Sequence, residues 1–111
     1  MTDLKTQTCK PCRGGIPPLT RQEADQFLTQ TPGWEISDQS ARIAKTFKFG
    51  NFGEALEFVQ KVGELAEREF HHPDINFGWG YCTIILQTKK IKGLHENDFI
   101  MAAKINQLAQ T

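Results

Sequence analysis

Residues 51–79 read NFGEALEFVQKVGELAEREFHHPDINFGW, and this stretch decides the fold. From Asn51 to Phe70 the pattern is helical. Phe52, Leu56, Val59, Val62, Leu65, Ala66 and Phe70 form an apolar stripe, and Glu54, Glu57, Lys61, Glu64 and Arg68 fall largely off it. Asn51 with Glu54 three residues on predicts a capping box at the helix start. Ile75, Phe77 and Trp79 then alternate with the period of a strand, and Gly78 and Gly80 mark a bend. Between helix and strand stands His71-His72-Pro73. Proline disfavours helical backbone in the residue before it, so the histidine pair lies at a forced corner.

Working outward, Thr20-Arg21-Gln22-Glu23 is a capping box, with Leu19 placed to staple onto Ala24. A short helix follows, with Ala24, Phe27 and Leu28 on one face, closed by Pro32-Gly33. Trp34–Ser37 and Ala41–Phe49 read as two strands around Asp38-Gln39. In the second, Ile43, Phe47 and Phe49 alternate with Arg42, Thr46 and Lys48, the pattern of a sheet with one buried face. Tyr81–Thr88 is a further strand. Its adjacent Ile84 and Ile85 face opposite sides, which predicts a central strand or an oligomer contact. Lys89–Gly93 is a polar connector, and a last helix runs from Glu96 to Ala109. The order α-β-β-α-β-β-α predicts an α+β fold, a four-stranded antiparallel sheet with helices packed on one face. One domain spans residues 19–111, preceded by a flexible N-terminal tail over 1–18, of which Met1–Arg13 is expected to be dispensable for folding and chemistry.

Thirteen basic and thirteen acidic side chains cancel to a net charge of 0, which argues against a nucleic-acid partner. No apolar run reaches the roughly 18 residues of a membrane span, and no apolar segment reads as a secretory signal. A cytoplasmic protein without a membrane partner is expected. Cys9, Cys12 and Cys82 make no disulfide framework. Cys9-Lys10-Pro11-Cys12 has the spacing of half a zinc site, but the other half is missing and the Gly and Pro that follow are loop residues, so no metal is expected.

Two imidazoles together supply an acid and a base near neutral pH. The bland alternative is a surface pair capping a helix end. Asp98 is the second candidate. Steps of three and four from it reach Met101, Ala102, Ile105, Leu108 and Ala109, so a carboxylate sits on an apolar stripe and needs a partner. That partner is either the backbone N–H groups of the first helical turn or a functional site.

Glu67-Arg68-Glu69-Phe70-His71-His72-Pro73, followed by Trp79, Gly93-Leu94 and Asp98, resembles the pterin-4a-carbinolamine dehydratase family. This family includes the dimerisation cofactor of a hepatocyte homeodomain factor and a bacterial, phenylalanine-hydroxylase-associated type. Residues 91–103 are similar to the bacterial members, and the resemblance extends from Leu19 to Ala109. It implies a hydro-lyase that dehydrates 4a-hydroxytetrahydrobiopterin to quinonoid dihydropterin, recycling the cofactor of aromatic amino-acid hydroxylases. It implies no metal or organic cofactor, and a homodimer or homotetramer. By the same resemblance His71 is the acid–base group and His72 binds substrate and shares the proton work. Glu67, Trp79, Lys89 and Asp98 are the implied substrate-binding residues, with Trp79 a wall against the pterin ring. The chain departs from the family at Lys89, where a third histidine, or sometimes Trp, is usual. Lysine is a poor acid at neutral pH unless desolvated, yet it can hydrogen-bond a pterin carbonyl. The alternative is a weakly active or inactive pterin-binding relative, serving molybdopterin metabolism or a protein partner.

Overall fold

The computed structural model describes residues 3–11, 14–37 and 41–110. Asp38-Gln39, expected to turn the first hairpin, and Cys12 of the Cys-x-x-Cys pair lie outside the described residues.

Helix α1 (Arg21–Leu28) starts at Thr20, whose hydroxyl accepts the Glu23 N–H while the Glu23 carboxylate accepts the Thr20 N–H. Strands β1 (Glu35–Ser37) and β2 (Arg42–Lys48) follow, then α2 (Phe52–Glu69), β3 (Asp74–Gly78), β4 (Tyr81–Leu86) and α3 (Glu96–Ala109). The strands form one antiparallel sheet in the order β1-β2-β4-β3. The predicted α+β architecture and element order are therefore the observed ones. Asn51 caps α2 by accepting the Glu54 N–H, but Glu54 turns back to the Gly50 N–H, so only half of the predicted box forms.

Register places the buried strand residues on one face. Phe77, Cys82 and Phe47 form one row, and Ile43 pairs with Leu86. Helices α2 and α3 cover this face, joined in the core by Ile84, Val62, Phe99 and Ile105. Lys45 shares the face, where burial lowers its pKa and its ammonium donates to the Pro32 carbonyl and to Asn106 Oδ1. Ile85 lies on the other face, in a row with Asp74 and Ala44, as a central strand requires.

Two expectations are corrected. The buried residues of α2 are Ala55, Phe58, Val62, Leu65 and Ala66, whereas Phe52 and Leu56 are 45% and 38% exposed. The helix carries two apolar faces roughly 100° apart, one residue's turn. The sheet takes the one with Phe58, and the three-four pattern had merged them. Phe70 leaves the stripe entirely because it caps α2 in the left-handed conformation, φ 54°, and is 84% exposed.

Residues 3–11 are not the free tail expected of 1–18. Leu4, in a 3-10 turn over Leu4–Thr6, is fully buried against α3, and its N–H donates to Gln30 Oε1. Lys104 Nζ donates to the Lys5 carbonyl. An apolar side chain with a docking groove outweighs the loop composition of the segment as a whole. Further on, Pro18 lies so close to Gly93 that a Cβ there would fall 2.5 Å from the Pro18 Cβ. The Leu19 N–H then joins the Leu94 carbonyl and leads the chain into α1.

Candidate active site

The left-handed cap at Phe70 turns the chain out of α2, and the His71 N–H closes the helix on the Ala66 carbonyl. His71 and His72 thus project from a helix C-terminus onto a cavity of about 500 Å³. Its other walls are the 3-10 turn Lys89–Ile91 after β4, the start of α3 at Asn97, and the segment Cys9–Pro11.

His71 Nε2 lies 2.7 Å from Asp98 Oδ1, and the two side chains are 11% and 0% exposed. Asp98 Oδ2 accepts from the Thr88 hydroxyl at 2.8 Å and from the His95 N–H at 2.9 Å. This carboxylate closes the capping box of α3 and also pairs with His71. Three polar partners satisfy a buried carboxyl group that would otherwise be costly. A helix N-terminus favours negative charge and a helix C-terminus positive charge, so α3 and α2 present complementary ends to this pair. Whenever the Asp98 carboxyl acts only as an acceptor, His71 donates to it through Nε2, and Nδ1 is left as the second ring nitrogen.

His72 lies outside this enclosure. Its Nε2 pairs with Glu67 Oε2, and both side chains are more than half exposed. Glu67 is tied to His72 and does not line the cavity. Lys89 does line it, with its ammonium 3.8 Å from Asp74 Oδ1. Trp79 does not line this cavity: it is 71% exposed in the turn between β3 and β4, outside the core. The strand β3 separates it from the histidines, because Gly80 in its φ 83° conformation sets the turn at the far end.

The structure adds residues that the sequence did not single out: Thr88 under Asp98, Glu69, and Asn97. Glu69 Oε1 accepts the Cys9 N–H at 2.7 Å. Burial, and then the negative charges of Glu69 and Asp98, push the Cys9 thiol up to about 12, so it is neutral at pH 7 and a poor nucleophile. A buried polar residue with no periodic signature leaves no mark in a single sequence.

These features define a small α+β domain with a cavity lined by two adjacent histidines, one of them paired with a buried aspartate. The family model described as pterin 4 alpha carbinolamine dehydratase matches residues 17–108, and the chain belongs to that family. A relative from Cupriavidus pinatubonensis, provisionally named pterin-4-alpha-carbinolamine dehydratase 1, is 59% identical over 96% of this chain and 91% of its own length. One from Methylococcus capsulatus, provisionally named pterin-4-alpha-carbinolamine dehydratase, is 58% identical over 96% of this chain and 93% of its own length. Among solved structures, a transcriptional coactivator/pterin dehydratase from Brucella melitensis superposes with TM-score 0.78 at 32% identity, over 83% of this chain and 98% of that one. A pterin dehydratase-like protein described as a RuBisCO assembly factor in the alpha-carboxysome superposes with TM-score 0.63 at 26% identity, over 74% and 95%. No helix among the described residues is long and apolar enough to cross a membrane.

Proposed function

We propose that this chain dehydrates 4a-hydroxytetrahydropterins to quinonoid dihydropterin, which a separate reductase returns to the tetrahydropterin cofactor of aromatic amino-acid hydroxylases. The observation that carries the reading is the pair of imidazoles on one cavity, each with its own carboxylate. The reaction breaks the C4a–O bond, with one proton delivered to the departing oxygen and one removed from N5. Water leaves and a C4a=N5 double bond forms. His71, oriented by Asp98, exchanges one of these protons through Nδ1. His72, held by Glu67 at the rim, binds the pterin and relays the other. Lys89 contributes a hydrogen bond to the pterin rather than a proton, and no resident cofactor takes part. Family membership and the enclosed His71–Asp98 pair support this assignment.

Stopped-flow dehydration of freshly generated 4a-hydroxytetrahydropterin tests it. Turnover above the spontaneous rate, lost in His71→Ala, is the expected result. A wild-type rate equal to the spontaneous one rejects it. The second reading is a pterin-binding or assembly relative with little turnover, which Lys89 and the RuBisCO assembly neighbour favour. A cytoplasmic homodimer or homotetramer completes the proposal. The exposed Phe52, Leu56 and Phe70 and the free edge of β3 supply its contact surface.

A further inference from the structure

We propose that Cys9–Pro11 is a strap that walls one side of the substrate pocket and is latched there by the Asn97 side chain, so that it sets how tightly substrate is held. This rests on the pterin reading above. Cys9, Lys10 and Pro11 line the same cavity as His71 and His72. Asn97 is 1% exposed, and its Oδ1 accepts the Lys10 N–H at 2.9 Å while its Nδ2 donates to the Lys10 carbonyl at 2.6 Å. One side-chain amide thus holds both main-chain groups of one residue, as a neighbouring strand would, and fixes it in position and orientation. The Cys9 N–H is held separately by Glu69. Glu69 is the last residue of α2, two before His71, and Asn97 immediately precedes Asp98. The strap is therefore tied to the two helix ends that carry the His–Asp pair. Leu4, buried on α3, anchors the segment upstream. None of these contacts reaches a reacting atom of the proposed chemistry, so the strap residues and Asn97 are positioning residues.

The test compares Asn97→Ala and Pro11→Gly with wild type. Pro11 is exposed, and its replacement loosens the strap without opening a hole in the core. KM and kcat come from the dehydration assay, and the Kd for dihydrobiopterin from fluorescence titration. In both variants KM and Kd should rise by about tenfold, with kcat held within about threefold and its pH profile unmoved. Folded variants with wild-type Kd and KM overturn the proposal. So does a fall in kcat at constant KM, which marks a disturbed His71 instead. If Asn97→Ala does not fold, Pro11→Gly decides alone. A wild type that binds no dihydrobiopterin removes the pterin reading and the strap together, an outcome distinct from a wild type that binds well and strap variants that bind equally well.

Discussion

His71 and His72 are neighbours in sequence but not in environment. The first is enclosed with a buried aspartate, and the second is half exposed beside a surface glutamate. His71→Ala should lower the dehydration rate by about 10²–10⁴-fold, the usual worth of a general acid–base group. His72→Ala should lower it less. Stopped-flow rates unaffected by either change would end the assignment. Lys89→His should hold or raise the rate, since it supplies a group that titrates near neutrality. The thiols give a second prediction, on stability. Folding moves Cys9 from the ordinary 9.0 to about 12 and Cys82 to about 11, in both cases chiefly through burial. Above pH 9 the unfolded chain therefore binds fewer protons than the folded one, and stability falls as pH rises. The Cys82 contribution stops growing near 11 and that of Cys9 near 12. Each thiol adds a slope of at most about 1.4 kcal/mol per pH unit. Denaturant melts from pH 8 to 10.5 should show a shallower decline for Cys9→Ser than for wild type. An equal decline would contradict the buried placement of this thiol. Side-chain chemistry was readable at this scale wherever it was unusual: the doubled histidine and an aspartate on an apolar stripe stand out. Asn97 and Thr88 do not, because their importance lies wholly in partners distant in sequence.

At the scale of elements, the helices and strands were legible because their periods are long and their caps explicit, as at Thr20 and Asn51. What misled was competition between faces. Helix α2 has apolar residues enough for two faces, and only the tertiary structure reveals which one meets the sheet. The N-terminal segment misled for the opposite reason, since one leucine in polar surroundings carries no periodicity. Leu4→Ala should cost about 2–5 kcal/mol in chemical denaturation, as truncation of a buried leucine does. Trp79→Ala should cost little in a monomer, because its side chain is mostly solvated. If Leu4→Ala were as mild as a surface change, the docked segment would be in error. Lys92, left-handed at φ 54° after the turn Lys89–Ile91, gives a gain in the other direction. Lys92→Gly relieves the left-handed penalty of roughly 1–2 kcal/mol, offset in part by backbone entropy, so the thermal midpoint should rise slightly.

For the whole molecule, the apolar side chains left outside the core predict self-association. Sedimentation should show a dimer or tetramer at micromolar concentration, and Leu56→Glu should shift it toward monomer. A wild type that sediments only as a monomer would count against the proposed assembly. The carboxylate of Asp98 has a further consequence. It joins the exit of α2 through His71, the exit of β4 through Thr88, and the N-cap of α3 through the His95 N–H. Three segments meet on one small group, so fraying of any one of them loosens the seat of the imidazole. Loss of turnover on warming should then be a switch rather than a gradual fading. It should set in below the midpoint of global melting, at the temperature where the amides of His95, Asn97 and Asp98 begin to exchange with deuterium as a block. The pocket would act as its own thermal fuse, opening before the sheet behind it gives way.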